Sequence, residues 1–234
     1  MFLKLSSFAA GTQFETDSFT TSGGTLKITF IGHASLILNY HNMVIHVDPF
    51  GKLADYSKLP RADMILITHE HMDHFDTSAI ELIRSPKTIF VLTALCADRI
   101  KNGIVMKNGD IKTVAGLKIE AVPAYNIVHK RDNGQPFHPQ GVGNGYIITC
   151  GDKRIYIAGD TENTPEMKAL KNIDVAFLPM NLPYTMTPEM VADAAKAFKP
   201  HILYPYHYGN TDCTKLVDLL KSEKTIDLRI RKMM

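Results

Sequence analysis

The stretch that most constrains this chain is Met64–His74, which reads MILITHEHMDH. Its first five residues form an unbroken apolar and β-branched run. A strand with one face in water alternates apolar and polar residues, so a run without a polar break belongs to a strand covered on both faces. The six residues that follow, from His69 to His74, place four potential metal ligands (His69, His71, Asp73 and His74) in one tight loop. Imidazole nitrogens and a carboxylate suit Zn²⁺, Fe²⁺ or Mn²⁺. Solvated turn residues would explain the segment poorly, because three of the ten histidines fall within six positions. Such a loop can aim His69 and His71 at one ion and Asp73 and His74 at a neighbour, so two ions follow more naturally than one.

The flanking sequence supplies the scaffold. LKITFIG from Leu26, SLILNY and MVIHVD are short strands, with a hairpin turn at Tyr40-His41-Asn42. After Met64–Thr68, Asp76 or Thr77 caps a helix through Ile83, and Thr88–Leu92 is again strand. Asn108-Gly109-Asp110 and Gly151-Asp152 read as hairpin turns, the second between YIIT and RIYIAG. Residues 123–145, rich in Pro, Gly, Asn, Gln and His, read as a long loop, of a kind that is either functional or disordered. DVAFLP is a strand, Thr187 with Pro188 opens a helix through Phe198, HILYPY is a strand, Cys213–Ser222 a helix and Ile226–Ile230 a final strand. Two similar halves of this kind predict an α/β fold of two packed sheets with helices outside. Residues 1–25, rich in Gly, Ser and Thr towards their end, are expected to be an irregular lead-in, and residues 26–234 a single domain.

Composition removes several functional classes. The chain has 234 residues, 45% of them apolar, enough for one sizeable core. Its 26 basic and 24 acidic residues are spread without runs of like charge, which speaks against nucleic acid or a membrane surface as partner and for a small-molecule substrate. No apolar stretch reaches the roughly 18 residues that a membrane span needs. Cys96, Cys150 and Cys213 are odd in number and isolated, so they are read as apolar fillers. Met1–Ala10 has one Lys and small residues, like the tail of a signal peptide, but too broken an apolar stretch to serve as one, and a cytoplasmic protein is expected. The sequence sets no oligomeric state. Neither a GxSxG elbow nor a Walker loop is present.

HxHxDH after a buried strand resembles the signature of the metallo-β-lactamase superfamily, and the likeness runs from Leu26 to the end of the chain. It implies an αββα sandwich. It also implies that His69 and His71 serve one metal and Asp73 and His74 the second. Asp160, in Ala158-Gly159-Asp160-Thr161, is similar to the residue that bridges both ions, and His207, in YPYHYG, to the last ligand of the second. The chain looks most like the branch of ascorbate phosphate lactonases and N-acyl phosphatidylethanolamine phospholipases D, but departs from it at the third ligand of the first metal. Where that branch has a His, this chain reads Pro123-Ala124-Tyr125-Asn126. Asn126, His129 and His138 are the candidates; imidazole is the better transition-metal ligand, which favours His138.

In the same branch His33 is a substrate-contacting or interior His, and Tyr184 an active-site wall residue or plain packing. Asp48 is expected to brace the metal loop through hydrogen bonds. His46 and His201 are read as structural. The implied chemistry is hydrolysis of a lactone, phosphodiester or related ester by a hydroxide bridging two divalent ions, zinc first, manganese or iron as alternatives. Asp73 and Asp160 would orient the hydroxide, and His33, Tyr184 or a metal-bound water would protonate the leaving group. A β-lactamase role does not follow from this branch. An RNA-processing nuclease would need an inserted domain, and a flavodiiron protein a flavin domain. The rival reading is a metal-containing binding or sensing protein without turnover, favoured if the third first-site ligand is missing.

Overall fold

A computed structural model describes residues 14–233. The leader-like stretch Met1–Ala10 lies outside the described residues. Two seven-stranded sheets follow one another along the chain. The first holds β1 (Thr16–Thr21), β2 (Gly24–Gly32), β3 (Ser35–Tyr40), β4 (Met43–Val47), β5 (Met64–Leu66), β6 (Ile89–Leu92) and β7 (Ile104–Val105) in that order. The second holds β8 (Ile111–Val114), β9 (Leu117–Ala124), β10 (Gly143–Cys150), β11 (Lys153–Ile157), β12 (Val175–Pro179), β13 (Ile202–Tyr206) and β14 (Asp227–Leu228), also in sequence order. In each sheet the first four strands run antiparallel and the last four parallel, the fourth being shared. The two halves are therefore repeats of one topology, and the fold is the metallo-β-lactamase αββα sandwich.

The unbroken apolarity of MILIT has its cause in this layering. Met64 and Leu66 enter the main core with Leu26, Ile28, Phe30, Ile148 and Tyr156. Ile65 and Ile67 point the other way, into a second cluster with Phe75, Ala79, Ile80 and Ile83. The last three belong to α1 (Thr77–Ile83), whose N-cap Asp76 accepts the N–H groups of Ser78 and Ala79. Each such buried side chain contributes about 1.5–3 kcal/mol, so the strand before the metal loop is held firmly from both sides. On the second sheet α4 (Pro188–Phe198) buries Val191, Ala192, Ala194, Ala195 and Phe198 on one stripe. Cys96 and Cys150 are buried and Cys213 half-buried, all three as free thiols. Among the described residues no helix is long and apolar enough to cross a membrane.

Four expectations change. The lead-in is not irregular throughout, since β1 pairs with β2 from Thr16↔Thr29 to Thr21↔Gly24. Its Thr-rich sequence has β propensity without hydrophobicity, as suits an edge strand, so the folded unit begins before Leu26. Residues 123–145 are only partly loop, because β9 continues to Ala124 and β10 begins at Gly143. Pro123 is tolerated in β9 since β8 has ended at the level of Glu120, leaving that edge without a ladder partner. The Asn108-Gly109-Asp110 turn joins β7 to β8, which lie in different sheets, and is a crossover rather than a hairpin. The last strand spans Asp227–Leu228 alone.

Candidate metal centre

The site residues follow the ends of strands, where open sheets with parallel strands present their ligand-binding crevices. His33 follows β2, Asp48 follows β4, the His69–His74 loop follows β5, Asp160 follows β11 and His207 follows β13. Three of these strand exits use left-handed backbone at residues other than glycine: His33 (φ 50°), Asp48 (φ 43°) and His207 (φ 47°). Such conformations cost on the order of 1 kcal/mol or more each and concentrate at functional sites. At Gly159 (φ 66°) a Cβ would stand 2.9 Å from the Asn144 carbonyl and 3.1 Å from Thr68 Cβ, so only glycine lets the chain turn there and deliver Asp160.

Three overlapping groups of donor atoms result, two of them without Asp160 and the third made of His69, His74 and Asp160. In the first, His69 Nε2 lies 3.1 Å from His71 Nδ1, and His138 joins them with all three ligand atoms within 4.8 Å of one another. The second comprises His33, Asp73, His74 and His207 on the same criterion. Asp160 stands between them. Its Oδ2 is 3.3 Å from His138 Nε2 and 3.4 Å from His207 Nε2, and its Oδ1 is 3.4 Å from His74 Nε2.

On three of the rings the opposite side is already engaged, which fixes the nitrogen that faces the centre. The Asp48 carboxylate only accepts, so His74 donates through Nδ1 at 2.8 Å. Thr68 donates its hydroxyl to Asp48 and accepts from His69 Nδ1 at 3.0 Å. Asn126 Oδ1 accepts both the backbone N–H and the Nδ1–H of His138, each at 2.8 Å. What remains is a set of buried atoms without hydrogen-bond partners: His74 Nε2, His138 Nε2, His207 Nε2 and Asp160 Oδ1. An orphaned buried polar atom costs about 1–3 kcal/mol. Four that converge on one place, all lone-pair donors in imidazole and carboxylate chemistry, fit divalent transition-metal ions.

The carboxylates and burial set the electrostatics of the cluster: burial works against charge on His74, but Asp160 and Asp48 raise its pKa well above the ordinary value. Burial pushes the His69 imidazole well below its ordinary pKa, leaving it neutral as a ligand must be. Burial also works against charge on Asp160, yet the neighbouring His207 and His74 hold its carboxyl well below the usual range. Asp73 is likewise held low, against burial, by the neighbouring His207 and by the hydrogen bond from His33.

A family model for the beta-lactamase superfamily domain matches residues 27–207. The chain belongs to that superfamily. A UPF0173 metal-dependent hydrolase of Nanoarchaeum equitans is 32% identical over 191 residues, 79% of this chain and 84% of that protein. Among solved structures, a candidate metal-dependent hydrolase from Parabacteroides distasonis matches with a TM-score of 0.90 at 51% identity, over 95% of this chain and 100% of that one. The metallo hydrolase Igni18 from Ignicoccus hospitalis matches with a TM-score of 0.72 at 25% identity, over 88% and 95% of the two chains.

Within this superfamily member the structure brings His69, His71, Asp73, His74, His138, Asp160 and His207 together. Of the candidates for third ligand, His138 faces His69 and His71, whereas Asn126 stands behind His138 and His129 pairs with Glu162 at 2.7 Å. His33 donates Nε2–H to Asp73 Oδ2 at 3.0 Å. Tyr184 stands on the wall of a cavity of about 430 Å³ that opens over the donor groups, with Arg131, Phe137 and Asn181 beside it. His46 is buried and donates to the Pro60 carbonyl, and His201 lies at the surface near Asp174. Sequence reasoning missed Glu162. This buried carboxylate accepts the backbone N–H groups of Ile127, Val128 and His129, and the amide of Asn126. Its only sequence signal is an acid two residues after Asp160, which points to no particular role.

Proposed function

We propose that this chain is a hydrolase working with two divalent transition-metal ions, zinc before manganese or iron, on a lactone, a phosphodiester or a related small ester. The observation that carries the reading is the convergence of four orphaned buried donor atoms on one cavity floor. His69, His71 and His138 would hold one ion, and Asp73, His74 and His207 the other, with the Asp160 carboxylate facing both. Bound there, the ions supply an activated water and polarise the oxygen of the scissile group.

The protein's own groups do the rest. Asp48, Thr68 and Asn126 fix ring orientation and keep the inward nitrogens unprotonated. His33, which burial keeps below its ordinary pKa, carries its proton on Nε2 towards Asp73 and steadies that carboxylate. The Tyr184 hydroxyl and the His33 ring are the groups on the cavity wall able to hand a proton to a leaving oxygen. A binding protein without turnover would be favoured by a missing third ligand, and the proximity of His138 to His69 and His71 supports the hydrolase instead.

Elemental analysis of protein purified without chelator should give close to two transition-metal ions per chain. The same preparation should hydrolyse members of a panel of lactones and phosphodiesters. His207→Ala should reduce the metal content towards one ion and lower hydrolysis. Metal-replete protein that holds no ion, or a His207→Ala variant with unchanged metal and turnover, would overturn the reading.

A further inference from the structure

The loop between β9 and β10 carries more than His138. It folds back through a Lys130↔Pro136 bridge, with Arg131 donating its N–H to the Gln135 carbonyl at 2.7 Å and accepting from Gly134 at 2.8 Å. This small hairpin sets the Arg131 guanidinium 5.0 Å from the centre of the Phe137 ring, with one N–H reaching the Phe137 carbonyl at 3.4 Å. Phe137 in turn meets Tyr184 edge to face, 5.1 Å between ring centres. All three side chains line the cavity over the metal-ligand groups.

Arg131 is the one Lys or Arg on that lining, and it forms no ion pair among the described residues. Its planar fork has five N–H donors, of which the Phe137 carbonyl takes one, so an edge remains for an oxyanion. The carboxylates of the lining, Asp73 and Asp160, belong to the ligand groups and would be neutralised by the ions. The cavity then has a positive floor and a positive rim, with an aromatic wall between them.

We infer that the substrate carries, besides its scissile ester, an anionic group of phosphate or carboxylate type that Arg131 binds at the cavity rim, with its apolar part against Phe137 and Tyr184. This inference rests on the hydrolase reading for the role of the site, but its test needs no turnover. Stacking on Phe137 holds the guanidinium in place before any ligand arrives, which lowers the ordering cost of binding.

The test is calorimetric titration of the metal-loaded protein with phenylphosphonate, benzoate and the neutral benzyl alcohol, on the wild type, Arg131→Gln and Arg131→Lys. Loss of one charge-assisted contact predicts about tenfold weaker binding of an anion to Arg131→Gln, partly restored in Arg131→Lys. Binding of benzyl alcohol should not change. Weakening confined to phenylphosphonate assigns a phosphate, weakening confined to benzoate a carboxylate, and weakening of both the shared oxyanion chemistry. Unchanged anion binding in Arg131→Gln, or equal weakening of benzyl alcohol, overturns the inference. If no ester were hydrolysed while the anions still bound through Arg131, only the hydrolase reading would fall.

Discussion

At the scale of single residues, the side chain that settles the first ligand group is Asn126, although it touches no ligand atom that faces the centre. Its amide nitrogen is committed to Glu162 Oε1 and the Tyr184 carbonyl, so its oxygen must face His138 and take the Nδ1 proton. That leaves Nε2 bare. Removing the acceptor in Asn126→Ala frees the ring to turn and to change tautomer, and should weaken first-site metal binding about 10–100-fold. Asn126→Asp keeps an acceptor and should recover most of it. Chelator competition measures both, and equal affinity in wild type and Asn126→Ala would show that the bond does not position the ring. His69, His71, Asp73 and His74 were legible in the sequence because one loop contains them, and Asp160 and His207 because each ends a strand in a recognisable setting. His138 was one of three candidates, since nothing local tells a residue of a long loop that faces the histidine cluster from one that stands behind it. Asn126 belongs to the right constellation one contact further out.

At the scale of elements, the loop from 125 to 142 is an ordered arm whose root is tied to Glu162. The Glu162 carboxylate oxygens accept three consecutive backbone N–H groups, from Ile127, Val128 and His129, at 2.6–2.7 Å. Burial raises the cost of charge on Glu162, but these N–H groups hold its pKa below the ordinary value. Glu162→Ala strands the three donors, and should cost about 1–3 kcal/mol or be relieved by local opening of the arm. Amide exchange at Ile127, Val128 and His129 should then speed up at least about tenfold, while β10 amides keep their protection; protection of the arm equal to wild type would refute the anchoring role. No sequence pattern announces such a carboxylate, because its partners are backbone groups more than thirty residues upstream. The strands were easier. Alternation and apolar runs marked β2 to β6 and β10 to β13, whereas β1, with Thr at three of six positions, hides its pairing behind polar side chains.

At the scale of the whole molecule, the two halves repeat one topology, and the metal-ligand groups sit where strand ends of both sheets meet. The loops after β5, β11 and β13 can converge only if the sandwich is intact, so forces acting far from the site govern it as well. His46 supplies such a force. It lies in the middle of β4, buried, with Nε2–H donating to the Pro60 carbonyl at 3.0 Å and its ring near Tyr56. Burial pushes its pKa down from the ordinary 6.5 to about 4, the hydrogen bond to Pro60 only partly opposing this. The unfolded chain therefore takes up the proton before the folded one. The stabilisation from neutral His46 is complete above 6.5 and is lost as pH falls from there to about 4. At about pH 5 the loss amounts to about 2 kcal/mol. Urea unfolding of metal-depleted wild type and His46→Gln at about pH 7 and about pH 5 isolates this contribution, because titration of the other histidines is common to both proteins. Between the two conditions wild type should lose about 2 kcal/mol more than the variant. An identical loss in the two would mean that His46 is hydrated or protonated in the folded state, and that the acid sensitivity of the sandwich arises elsewhere.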